Sequence, residues 1–158
     1  MTIFSIFCSL FLWMVVFSSQ FGVVDAFAPE VVVESLSKRE GPSVPVTTEH
    51  RYQSDVTLYI EEENGDRTPS GWSTRVEDGA AAEQPFAFQP GVNLIQGWTT
   101  GVLKMEEGER ALLHVPAALG YGGRPMGSKG GAFFIPADSN LLFDIKIRGK
   151  VGDTTTEL

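Results

Sequence analysis

The chain has 158 residues, a formal net charge of -8 and a single cysteine. That length supports one domain with a real hydrophobic core but not two. A pI near 4.7 argues against nucleic acid or an anionic membrane surface as the main partner.

Residues 1–26 differ in kind from the rest. Ile3 to Phe17 is nearly unbroken apolar sequence, followed by a short, more polar stretch ending Val24-Asp25-Ala26. By length and flanks this reads as a cleaved secretory signal peptide, although no Lys or Arg precedes the apolar run. The alternative, a retained membrane anchor, needs about 20 apolar residues to span and this run is shorter. Cys8 lies inside the segment, so the mature domain, residues 27–150, is expected to hold no thiol and no disulfide.

The mature part opens with VVVESLSKREGPSVP, a β-branched strand broken at Gly41-Pro42. Asp55 to Glu61 is a second strand, and Asn64-Gly65 after it is the strongest short hairpin signal. The acidic run 61–63 reads as a solvated strand edge, because the neighbours that would complete a metal site are missing. Residues 66–83 show no period. They are read as a loop, an irregular strand, or both.

Gln84 to Met105 (QPFAFQPGVNLIQGWTTGVLKM) reads as a short strand, a Pro-Gly turn and one amphipathic helix. Asn93 with Gln96 fits a capping box, and Ile95, Trp98, Val102 and Met105 share one helical face. Gly97 and Gly101 each cost roughly 1 kcal/mol of propensity, so the helix needs a sheet packed against it. Glu109 to Val115 alternates, with Ala111, Leu113 and Val115 on one face, and Pro116 ends it. Gly120 to Ala132 is a glycine-rich exposed loop. Leu141, Phe143, Ile145 and Ile147 alternate with Asp144, Lys146 and Arg148 in a last strand. Residues 151–158 read as a disordered tail.

These elements define an α+β fold, an antiparallel sheet of about five strands wrapped around one short helix. Metal or triad chemistry lacks its residues, since His50 and His114 stand alone, and His114 reads as structural. No metal and no cofactor are expected. GGRPMGSK at 122–129 ends Gly-Ser-Lys, carries Pro125 and joins no strand to a helix, so it is not a phosphate-binding loop. What remains is a cluster of aromatics and aliphatics: Phe86, Leu94, Ile95, Trp98, Tyr121, Phe133, Phe134, Ile135 and Phe143. Chemistry there would use a hydrophobic box with few ionisable groups.

The motifs QPFAFQPG, LIQGW, GV-x-x-M-x-x-GER, ALGYGG and IPADSNLLFDI, in this order and spacing, resemble the FKBP-type peptidyl-prolyl cis-trans isomerases. The resemblance spans about residues 31–149. It implies a twisted sheet curled around one helix and an isomerase that rotates X-Pro peptide bonds in an aromatic pocket. Its catalytic residues would be Tyr59, Phe86, Ile95, Trp98, Tyr121 and Phe143, with Leu94, Phe134, Ile135 and Trp72 binding substrate. Tyr59 matches only if one residue is deleted before the Asn-Gly turn. Partners would be proline-containing clients of a monomeric protein, with macrolide inhibitors as a further ligand class and no nucleic acid. Two departures stand out. SGWSTR (70–75) replaces the family's Phe-Asp stretch, so the pocket carboxylate is lost, Trp72 takes the aromatic's place, and catalysis is expected to be weaker. GRPMGSKGGAFF forms a longer lip that lacks the usual histidine. The alternative is a catalytically weak or inactive peptide-binding module, or chaperone. The signal peptide implies the secretory pathway, and the junction Ala26-Phe27-Ala28-Pro29 leaves a plastid reached through the ER as the second possibility.

Overall fold

The computed structural model describes residues 28–80 and 82–152. The segment expected to be a signal peptide, 1–26, and most of the expected tail lie outside the described residues. Among the described residues eight strands and one α-helix follow in chain order: β1 (Val32–Ser37), β2 (Tyr52–Glu61), β3 (Arg67–Ser73), β4 (Phe86–Phe88), α1 (Gln96–Val102), β5 (Arg110–Val115), β6 (Met126–Gly127), β7 (Phe134–Ile135) and β8 (Asn140–Lys150). Single 3-10 turns occupy Val76–Asp78 and Ala117–Leu119. The main sheet runs β1-β5-β8-β2-β3, with β4 added to β2, and β6 pairs β7 separately. All of its pairings are antiparallel.

The longest strand, β8, lies at the centre between β2 and β5, and its register decides which side chains share a face. Leu58, Phe143 and Leu113 form one cross-sheet rung, Val56, Ile145 and Ala111 another, and Ile60, Leu141 and Val115 a third. All nine are buried. The intervening rungs, Thr57–Asp144–Leu112 and Tyr59–Leu142–His114, point away from the helix because strand side chains alternate.

Helix α1 forms against β5 despite its glycines, and the glycines are the reason it fits. A β-carbon on Gly97 would collide with the Val115 side chain, and one on Gly101 would sit 2.5 Å from Leu113 Cδ2. Close backbone approach thus offsets the poor intrinsic propensity of QGWTTGV. Trp98 and Val102 are buried on that face, and Met105 is buried just past the helix end. The expected capping box is not made. The N-cap is Ile95, extended and without a side-chain cap, while Asn93 adopts a left-handed φ of 53°. Asn93 belongs to the turn before the helix, a conformation that its short polar side chain tolerates.

The Asn64-Gly65 hairpin forms as expected between β2 and β3, with Gly65 at φ 84° and its N–H donated to Glu62 O at 2.9 Å. The aperiodic stretch 66–83 resolves into β3 and a 3-10 turn. The 120–132 loop is partly ordered by the β6–β7 pair, which turns Met126 opposite Ile135.

Candidate active site

Between α1 and the concave sheet face lies a cavity of about 410 Å³. Trp98, from the helix, is its 3% exposed floor. Three phenylalanines stand edge-on around the indole: Phe143 at 4.9 Å, Phe86 at 5.6 Å and Phe88 at 5.7 Å between centroids. Such T-shaped pairs add about 0.5–1.5 kcal/mol each beyond area burial and hold the floor rigid. Trp72 from β3 packs edge-on against Phe86 at 5.8 Å and closes one side. Leu94 and Ile95, at the helix entry, supply the opposite rim. Tyr121, Met126, Phe133 and Ile135 form the lip.

Eight of the ten residues expected at the site therefore converge on one cavity: Trp72, Phe86, Leu94, Ile95, Trp98, Tyr121, Ile135 and Phe143. Two do not, and each misses by one strand position. Tyr59 sits on the outer-face rung with Leu142 and His114, and Leu58 takes the pocket wall beside Phe143. There, burial first, then the carboxylates of Asp78 and Asp144, push the Tyr59 phenol pKa up. Phe134 is turned away from the cavity, and Phe133 lines it together with Ile135, two residues on. Because side chains alternate along a strand, an alignment that slips by one exchanges faces completely.

Polar groups in the cavity are few. No Asp or Glu lines it. Trp72 faces in while Ser73, next along β3, faces out and bonds Thr57 Oγ1 at 2.9 Å. Tyr121 is the lining's only ionisable residue, and burial raises its pKa, so it remains a protonated hydrogen-bond donor. Among the described residues no backbone acceptor takes the Ile95 N–H. The Trp98 indole N–H is likewise buried without a protein partner.

The far face of the same sheet, which the periodicity did not expose, is ionic. Arg75, with only 7% of its side chain exposed, reaches Asp144 Oδ1 at 3.2 Å, Asp78 Oδ2 at 3.4 Å and the Asp55 carbonyl at 3.2 Å. Arg110 donates to both oxygens of Asp144, through Nε to Oδ1 at 2.9 Å and through Nη2 to Oδ2 at 2.7 Å. Burial pushes the Asp144 carboxyl up, but Arg110 and Arg75 outweigh it and the net shift is downward. Thr57 donates to Asp78 as well. Thr74 Oγ1 accepts the Val56 N–H at 2.8 Å, so residues 73–75 are tied down directly behind Trp72. His114 binds Glu61 at 2.8 Å, in keeping with a structural histidine. Except for the Arg75–Asp78 pair, three residues apart, the arms of this network join residues far apart in sequence, which no local pattern announces.

A sheet curled over one helix, with an aromatic-floored cavity between them and few ionisable groups in it, defines a protein with a hydrophobic, ligand-sized pocket. The family model for FKBP-type peptidyl-prolyl cis-trans isomerases matches residues 46–148, and the chain belongs to that family. FK506-binding protein 2 of Dictyostelium discoideum is 44% identical over 66 residues, covering 41% of this chain and 46% of that protein. Chloroplastic FKBP13 of Arabidopsis thaliana is 42% identical over 74 residues, covering 42% and 36%. Human FKBP2 is 34% identical over 95 residues, covering 56% and 63%. The chain thus spans about half the length of the curated relatives it matches. Among solved structures, AtFKBP13 aligns with a TM-score of 0.58 at 29% identity, over 77% of this chain and 93% of that one. The three FKBP domains of wheat FKBP73 align at 0.59 with 20% identity, over 77% and 46%, a likeness of fold alone.

Proposed function

We propose that this chain is a peptidyl-prolyl cis-trans isomerase that rotates X-Pro bonds of polypeptide clients in the Trp98 cavity. The observation that carries the reading is the pairing of an apolar aromatic box with two donors at its rim, the Ile95 N–H and the Tyr121 hydroxyl, neither of which has an acceptor among the described residues.

The planar X-Pro amide must pass a barrier of roughly 18–20 kcal/mol, losing resonance and polarity on the way. Trp98, Phe86, Phe143 and Leu58 offer apolar contact on all sides of the proline ring. Such a surface favours the twisted, less polar amide over the planar one that water solvates well. Donors from Ile95 and Tyr121 hold flanking carbonyls, so the chain on one side stays fixed while the other turns. A millionfold acceleration requires about 8 kcal/mol, within reach of these effects without a covalent step. Trp72, Leu94, Phe133 and Ile135 bind residues beside the proline.

Without a carboxylate in the cavity, turnover is expected to be slower than in relatives that keep one. Macrolides are a second ligand class, supported by the FK506-binding name of the Dictyostelium relative. Cleavage after Ala26 would deliver a monomeric mature protein to the secretory pathway. The chloroplastic relative supports a plastid destination as the other outcome. Sequencing the native N-terminus should find Phe27 or a near neighbour, and an intact Met1 would rule out both routes.

The test of function is cis-to-trans exchange of a Leu-Pro peptide with the purified mature domain. A rate above the spontaneous one is expected. A folded domain that gives only the spontaneous rate, yet quenches Trp fluorescence on binding the peptide, would make it a binding module instead.

A further inference from the structure

The acids of this acidic protein avoid the segments that build the pocket. Between Gln84 and Met105 there is no Asp or Glu, and there is none between Ala111 and Ala137. Those two segments supply nine of the twelve residues that line the cavity. The lip carries Arg124, between the lining residues Tyr121 and Met126, and Lys129, between Met126 and Phe133. Both are exposed. On the helix-entry side a second cavity of about 390 Å³ shares Phe86, Asn93 and Leu94 with the first, and its one charged lining residue is Arg51. Among the described residues none of these three cations is in an ion pair, nor are Arg39, Arg67 and Lys146, whereas Lys38, Arg75, Lys104, Arg110, Arg148 and Lys150 each hold a carboxylate. Two carboxylates border the pocket: Glu83, in a neighbouring cavity that shares Trp72 and Phe86, is paired with Arg148, and Asp138 lies against Gly123. The three cations still outnumber them around an apolar pocket on a protein whose net charge is -8.

We infer that the preferred clients carry an acidic residue close to the proline, held by Arg51, Arg124 and Lys129 while the ring enters the cavity. This rests on the isomerase reading above and adds a specificity to it. Distance makes the local charges decisive. The Debye length is about 8 Å at 0.15 M salt, so rim cations act on a bound residue while the acids elsewhere are screened. Rim charges of this kind mainly alter encounter rate and salt dependence. A preference expressed in kcat/KM that fades with salt is the signature.

The experiment uses Leu-Pro peptides with Glu, Gln or Lys two positions before the leucine or two positions after the proline. Exchange rates and Trp-quenching affinities are both measured. At about 0.15 M salt, Glu should exceed Lys by roughly threefold to tenfold on at least one flank, and at about 1 M by less than twofold. The triple variant Arg51→Glu, Arg124→Glu, Lys129→Glu should equalise or invert the order. If it fails to fold, Arg124→Glu alone should reduce the ratio. Equal values for Glu and Lys on both flanks, or a preference that survives the substitutions, would overturn the inference. A Glu preference in affinity without any turnover would retain the inference and reject the isomerase. Turnover without charge preference would do the reverse.

Discussion

The two faces of the central sheet are built on opposite principles, though they alternate residue by residue along the same strands. Toward the helix, Leu58, Phe143 and Leu113 form an apolar rung that ends in a cavity. One residue further on, Thr57 and Asp144 begin a network of charges around the buried Arg75. The inner face gains from area removed from water, which is non-directional and tolerant of which apolar residue is used. The outer face relies on geometry, because a buried guanidinium is tolerable only with its partners in place. The two faces divide the labour: the inner face shapes the pocket, while the outer face holds Trp72's strand where the pocket needs it.

Removing Arg75 should be the most damaging test. Arg75→Ala leaves Asp78 without its guanidinium and Asp144 with one, and is expected to cost about 3–5 kcal/mol, read from the urea midpoint. Arg75→Met, which fills the space but leaves the same carboxylates without their guanidinium, should lose nearly as much. If Arg75→Met instead stays close to the wild type, packing and not charge is what Arg75 supplies.

Gly97→Ala comes next, at about 1–3 kcal/mol, since the new methyl meets Val115 in a packed interface. On propensity alone the same change would stabilise the helix by roughly 1 kcal/mol. The sign of the measured shift therefore separates helix propensity from sheet packing.

Tyr121→Phe removes a hydroxyl and keeps the ring. The loss in kcat/KM is expected to reach about tenfold, equivalent to about 0.5–1.5 kcal/mol, with the folding midpoint nearly unchanged. Tyr59→Phe is its counterpart on the outer face. A change below about twofold in kcat/KM is expected, because the Tyr59 side chain lies outside the cavity. A large loss there would restore Tyr59 to the site and overturn the placement of Leu58.

The smallest effects concern pH. Asp144 has a folded pKa below its ordinary value of 3.8. A depressed carboxylate contributes stability that is present above the unfolded value and lost as pH falls through the folded one. The acid limb of a stability titration should therefore flatten in Asp144→Asn. Turnover, by contrast, should be level from about pH 6 to 9, because Tyr121, the cavity's only titrating group, is pushed above its usual value near 10.

Much of the fold was legible because it repeats locally. Period-two alternation at 110–115 and 141–148, the Asn64-Gly65 turn and the Ile95–Trp98–Val102–Met105 stripe each report one element without reference to any other. The aromatic residues of the site could be gathered by family resemblance, since their motifs are contiguous. Three things were decided only by tertiary structure. Register across β8 put Leu58 and not Tyr59 beside Phe143, since a hairpin's exact length sets which face a strand residue takes. Pairing of β6 with β7 turned Phe133 inward and Phe134 away. Arg75 acquired its role from Asp78 three residues on, from Asp55 twenty residues back and from Asp144 sixty-nine residues on. A chain read in order carries the alternation of its own side chains, but not which distant strand lies alongside, and these outcomes depend on that neighbour.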